Sequence, residues 1–237
     1  MTPVIEICGL LYGDYHELHK RFLISLASAV ADDDRVRVAL WCNQCCQATK
    51  DLLKVLPLGR FSNIILSNEN VPKYKVMRKL FNLIATNTDS EWVVWFDDDS
   101  HITKPDWLQQ TLNFIESKRR ENICYVGQKW FVHHLPGQEA FIQQSKWYKG
   151  RPSELIKGRP GVWFATGSYW WLRADVLHQL DWPDERLSMN GGDTLLGEAV
   201  RQQGLPFHHF DYGVKVNDAK RRGFSEKPAG STVDTRR

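Results

Sequence analysis

Along the first hundred residues the apolar positions switch repeatedly between two spacings. Residues 4–11 form an apolar run broken only by Glu6 and Gly9, which predicts a strand buried in a sheet. From residue 14 to 31 the apolar side chains of Leu18, Phe22, Leu26 and Ala29 recur at helical spacing. The same alternation continues with a strand over 36–41, a helix over 47–55 and a short strand over 63–66. A helix from about 73 to 85 and a strand over 92–96 complete it. Strand and helix in this order imply a parallel sheet with right-handed crossovers, and such sheets bind ligands at the carboxyl ends of their strands.

Beyond Pro105 the pattern predicts a helix over 107–118 and a strand over 123–126. Periodicity is then lost from 128 to 161, a stretch rich in Gly, Pro, Lys and aromatic residues, expected to be a long irregular insertion beside a functional face. A strand over 162–172, a short helix over 175–180 and a helix over 194–203 closed by Gly204 follow. The end of the chain has almost no apolar residues. The expected organisation is one α/β domain over 1–219 and a basic flexible tail over 220–237.

Composition adds little to this picture. The 237 residues include 42% hydrophobic and 25% charged, and the net charge of +3 is too small to diagnose nucleic-acid binding by itself. Ten tryptophans suit either an aromatic core or ring-shaped ligands. Five unevenly spaced cysteines argue against a disulfide framework and fit a reducing compartment. Cys42, Cys45 and Cys46 resemble half a zinc site with no second half nearby. The N-terminal apolar run is too short for a signal peptide or a membrane span, so a cytoplasmic location is expected.

The sharpest local feature is the strand Trp92 to Phe96 ending in Asp97, Asp98 and Asp99. Three adjacent acids at the end of a buried strand repel one another, and a bound cation relieves that cost. Hard carboxylate oxygens suit magnesium or manganese bridging to a diphosphate. A solvated acidic turn capping the next helix is the plain alternative.

The segment VVWFDDDSHITKPDWL, residues 93–108, resembles the part of family 2 glycosyltransferases in which a hydrophobic strand delivers a DxD motif. FATGSYWWLRADVLHQL and MNGGDTLLGEAVRQQG, between 164 and 204, resemble the family's second signature, an Arg-led helix before an acidic motif. The resemblance implies a glycosyltransferase A fold, a mostly parallel Rossmann-like sheet flanked by helices. It also implies a sugar-nucleotide donor, with UDP-sugar the default, and Mn2+ or Mg2+.

Site residues follow from the same resemblance. Asp97 and Asp99 match the DxD positions, Asp99 being the better metal ligand, while Asp98 joins Asp97 on the donor side. Asp193 matches the base of inverting members, although Gly192 stands where the family has Glu. Glu198 is the reserve base. The family ends its second strand with an Asp that helps hold the nucleobase; this chain has no Asp there, and Asn43 is expected to replace some of its contacts, while Arg78 is placed to reach the diphosphate and His208 or His209 is expected to supply a third metal ligand.

The acceptor is expected to be a saccharide or another small hydroxyl compound, with a hydroxylated base in DNA as the second possibility. The latter rests on 128–160, where six basic residues face Glu139 and Glu154 and lie among Trp130, Phe131, Trp147 and Tyr148. A nucleotidyltransferase would show a Gly-rich basic loop after its first strand, and residues 9–15 are Gly-poor and acidic. A non-catalytic carbohydrate- or nucleic-acid-binding module has no use for acids at both strand end and helix start.

Overall fold

Strands that are apolar at every step acquire neighbours on both sides. In the computed structural model, which describes residues 4–30, 33–58, 62–84, 89–187 and 191–216, β1 (Val4–Tyr12) lies between β2 (Val36–Asn43) and β4 (Ser90–Asp97), parallel to both. The half-exposed β3 (Ser62–Ser67) pairs parallel to β2 at the sheet edge. α1 (His16–Val30), α2 (Gln47–Val55) and α3 (Lys73–Ile84) connect these strands, so the first hundred residues fold as their periodicity predicts.

The second half departs from the simple parallel pattern. The seven-stranded sheet has the order β3-β2-β1-β4-β7-β6-β8, and β7 (Val162–Arg173) runs antiparallel to β4 and to β6 (Tyr125–Val132). β8 (Phe207–His209) closes the far edge beside β6, and β5 (His101–Ile102) pairs with β9 (Val214–Lys215) as a separate ribbon. α4 (Trp107–Ser117), α6 (Ala174–Leu180) and α7 (Gly192–Gln202) complete the layers. The insertion expected to be irregular from 128 is ordered at both ends. β6 continues to Val132, paired with Val162–Ala165 of β7, and a short helix α5 (Glu139–Gln143) lies between. The predicted tail, 220–237, lies outside the described residues.

Alternation along β4 separates two cores. Val93 and Trp95 face a cluster with Tyr74, Phe81, Trp170 and Leu196, while Trp92, Val94 and Phe96 face one with Phe22, Trp107 and Trp171. Eight of the ten tryptophans are buried, so core packing accounts for most of that unusual count. All five cysteines are free, and no helix among the described residues is long and apolar enough to cross a membrane.

Candidate active site

Strand order reverses direction between β1 and β4, with Leu10 opposite Asp97, and this is where open α/β sheets leave a crevice for ligands. A tight turn, closed by the Ser100 N–H on the Asp97 carbonyl at 3.0 Å, aims the three acids in different directions. Asp98 points inward and is 2% exposed. Its Oδ2 accepts the Tyr12 N–H at 3.0 Å and lies 3.0 Å from His19 Nε2, so it braces β4 against β1 and α1. The expectation that Asp98 contacts the donor is corrected accordingly.

Asp97 and Asp99 belong to a different assembly. Asp97 Oδ1 accepts Trp95 Nε1–H at 2.9 Å, and its Oδ2 accepts Lys73 Nζ at 2.5 Å. Lys73, the first residue of α3, also donates to the Gly167 carbonyl of β7 at 2.8 Å. Asp99 is 8% exposed. Burial and the neighbouring Asp97 charge push its carboxyl up to about 6, against the pull of Lys73 and a hydrogen bond with Ser168.

Asp193 reaches the same place from α7. Two glycines precede it for different reasons: Gly191 enters the helix with φ 81°, in the left-handed region, and a Cβ on Gly192 would lie 2.2 Å from Tyr74 Cζ. A Cβ on Gly167 would lie 3.2 Å from Asp193 Oδ2, so the bare strand lets this carboxylate sit flush against β7. Burial raises the Asp193 pKa, and Lys73 and the Thr194 N–H draw it back. Tyr74 is held strongly in its phenol form by burial, then by Asp193 and Asp97. Three carboxylates and one ammonium, from β4, the turn after it, α7 and α3, thus share one partly desolvated corner.

Lys73 was not legible as a site residue, although one signal existed. A lysine at the first position of a helix opposes the helix dipole, and it needs an acidic partner to be favourable there. Tyr12 is the second addition. Its half-buried ring ends β1 at the crevice, and its hydroxyl has no hydrogen-bond partner among the described residues.

Other expected residues lie elsewhere. Glu198 is fully buried, and its carboxylate accepts Arg201 Nε and Nη2 at 2.7 Å each and Gln202 Nε2 at 2.9 Å. That side chain is scaffolding, not a reserve base. Arg78 donates to the Asp181 and Pro183 carbonyls at 3.1 and 2.6 Å and to Asp181 Oδ1 at 2.9 Å, which fastens the turn after α6 and directs it away from a diphosphate. Asn43 is 1% exposed and spends its carboxamide on Val71 N–H, the Val71 carbonyl and Asn70. It shapes the wall of the crevice instead of offering its side chain to a base.

His208 lies 3.0 Å from Glu121, and His209 Nδ1 accepts the Lys129 N–H at 3.2 Å. Both sit on β8, separated from β4 by β7 and β6 and hence by roughly 14 Å at ordinary strand spacing. The expected third histidine ligand is therefore not brought to Asp97 and Asp99. Among the described residues no group of three or more His, Cys, Asp or Glu side chains could hold a metal. Two carboxylates still fit magnesium or manganese, which commonly take one or two protein carboxylates and complete their shell with substrate phosphates and water.

Comparison with known proteins finds a sequence match and a shared fold. Residues 77–181, somewhat under half the chain, match the family model described as glycosyl transferase family 2. No curated protein matches the sequence. The mannosyltransferase PcManGT from Pyrobaculum calidifontis, solved with GDP-Man and Mn2+, is similar with a TM-score of 0.63 and 14% identity. The match covers 94% of this chain and 59% of that one. TarS of S. aureus is similar with a TM-score of 0.58 and 13% identity, over 90% of this chain and 36% of that one. The chain spans less than two thirds of the length of either protein. Its sequence is glycosyltransferase family 2-like, and its fold is the glycosyltransferase A fold.

Proposed function

We propose that the protein is a metal-dependent glycosyltransferase that moves a hexose from a nucleoside diphosphate sugar to an acceptor hydroxyl with inversion. The observation that carries this reading is the convergence of Asp97, Asp99 and Asp193 on one ammonium at the strand-order reversal. Asp99 and Asp97 would hold Mn2+ or Mg2+, which when bound supplies charge stabilisation for the departing diphosphate. Asp193 takes the proton of the acceptor hydroxyl as its oxygen bonds to the anomeric carbon and the bond to the diphosphate breaks on the opposite side. Its raised pKa makes it a stronger base than an exposed aspartate.

Tyr12 is the side chain best placed to receive the nucleobase, and uridine remains the expected base. For the acceptor, the structure favours a saccharide over DNA. Trp147 is buried, Lys146 is paired with Asp181, and Lys129 lies 3.7 Å from the centre of the Trp163 ring. Trp130 and Trp163 remain half-exposed on opposite faces of the β6–β7 arm, and Trp130, which carries no lysine over its ring among the described residues, is the one suited to pyranose stacking.

Thermal shift with UDP-glucose, UDP-GlcNAc and GDP-mannose, with Mn2+ or with chelator, tests the donor. A ligand at a hundred times its dissociation constant stabilises by about 2.7 kcal/mol. No metal-dependent stabilisation by any of the three would reject the function. Acceptor affinity that falls steeply with salt would put DNA ahead of a saccharide.

A further inference from the structure

We infer that Lys73 is a resident counter-ion: it competes with the divalent cation for Asp97 and passes to the donor diphosphate when the cation takes its place. This inference rests on the proposed function and adds to it a positioning residue and an order of events.

Lys73 Nζ sits 2.5 Å from Asp97 Oδ2 and 2.8 Å from the Gly167 carbonyl oxygen, and its side chain is 15% exposed. A magnesium-like ion bound to the same oxygen would stand about 2.0–2.1 Å from it. An ammonium and a dication cannot share one carboxylate oxygen at those distances without strong mutual repulsion. One must yield. Until the cation arrives, Lys73 neutralises a corner that would otherwise hold the charges of Asp97, Asp99 and Asp193 together, and it lowers the pKa of both Asp99 and Asp193.

Displacement leaves Lys73 in a partly desolvated crevice beside a rigid backbone carbonyl, with a charge that needs an anion. The incoming diphosphate is the anion that accompanies the metal. A lysine suits this exchange because its point charge rides on a flexible four-carbon stem, and because Lys73 is the first residue of α3, where the helix end itself favours an anion. Metal alone must evict a well-held ammonium, whereas metal with nucleotide gives that ammonium a new partner. The two ligands therefore bind cooperatively.

The test is Lys73→Met, with effects of opposite sign on the two ligands. Mn2+ binding to the nucleotide-free protein, followed by the electron paramagnetic resonance of free Mn2+, is expected to tighten about tenfold. UDP and GDP binding at saturating Mn2+, measured by calorimetry, is expected to weaken by a similar factor, within the usual range of coupling between sites. Lys73→Arg, which keeps the charge, is expected to hold Mn2+ affinity near wild type and to restore most of the nucleotide affinity. Unchanged or weaker Mn2+ binding in Lys73→Met overturns the competition, and unchanged nucleotide binding overturns the transfer to diphosphate. If Lys73→Met fails to fold, Lys73→Gln takes its place in both titrations. Wild-type protein that binds neither nucleotide with Mn2+ rejects the proposed function itself, an outcome separate from a wild type that binds and a variant that behaves alike.

Discussion

Helix α7 carries two acids, and its two ends treat them in opposite ways. Glu198 is fully buried and fully matched, with a two-pronged Arg201 and the Gln202 amide around its carboxylate. Asp193, in the first turn, shares a single ammonium with Asp97 and Asp99, and burial keeps its pKa raised. The turn after β4 repeats the contrast: Asp98 is tied down by Tyr12 and His19, while Asp99 is pushed up to about 6. A buried acid whose charge is matched by its own fold is a brace. One whose charge is under-compensated at the mouth of a crevice is available for chemistry.

The strongest way to break this contrast is Asp193→Asn. A general base contributes about a hundred- to ten-thousandfold, so turnover is expected to fall by that order while the melting temperature does not fall. Activity close to wild type would put the base elsewhere. Asp99→Asn comes next: loss of Mn2+-dependent donor affinity beyond the about 10–100-fold typical of an outer-shell partner is expected by calorimetry, with metal-free nucleotide binding unchanged.

Glu198→Ala should show the reverse signature, costing about 3 kcal/mol in denaturant unfolding because it strands Arg201 and Gln202. Turnover per folded molecule should stay near wild type. A collapse of turnover in Glu198→Gln at unchanged stability would erase the distinction between the two acids.

The smallest effect is a pH slope in metal-free protein. Asp99 ionises near 6 when folded and near 3.8 when unfolded, so the folded state holds this proton more tightly. The associated stability is present below 3.8 and is lost as pH rises from 3.8 to 6. Relative to wild type, Asp99→Asn should gain at most about 3 kcal/mol above pH 6 and nothing below pH 4, read from paired unfolding curves. Parallel curves at all pH values would show that the corner is better compensated than its burial implies.

β1, β2, β4 and the first three helices were legible because each buries apolar side chains at a fixed spacing, and the edge strand β3 because it is a short apolar run between them. Gln47–Val55 matches its predicted helix at both ends. The extension of β6 to Val132 was not legible. Lys129, Trp130 and Phe131 are partly exposed on a hairpin arm, where no alternating core pattern is imposed. At the site, Asp97 and Asp99 could be singled out because adjacent acids at the end of a buried strand are costly without partners, and Asp193 through the resemblance of its segment to the family's second signature. Lys73, Glu198 and the histidines could not be placed, since each depends on which strand neighbours which, and the antiparallel entry of β7 moves β8 to the far edge. Asn43 and Arg78 have suitable chemistry, but nearby backbone carbonyls claimed it first.

The antiparallel pairing of β6 with β7 has a consequence for how this molecule can diversify. The segment between Val132 and Val162 leaves and re-enters on adjacent strands, and the Leu135 N–H on the Leu155 carbonyl at 2.9 Å pinches its base. Such a segment behaves as a cassette. Its exposed stretches can lengthen at modest entropic cost, because closing a longer loop grows only logarithmically with length, while the buried Ile142, Trp147 and Leu155 anchor it in the core. The strands on the β1 side keep their register whatever the cassette contains. Changes to the exposed part of this excursion would therefore leave β1, β2 and β4, and with them the corner of Asp97 and Asp99, in place.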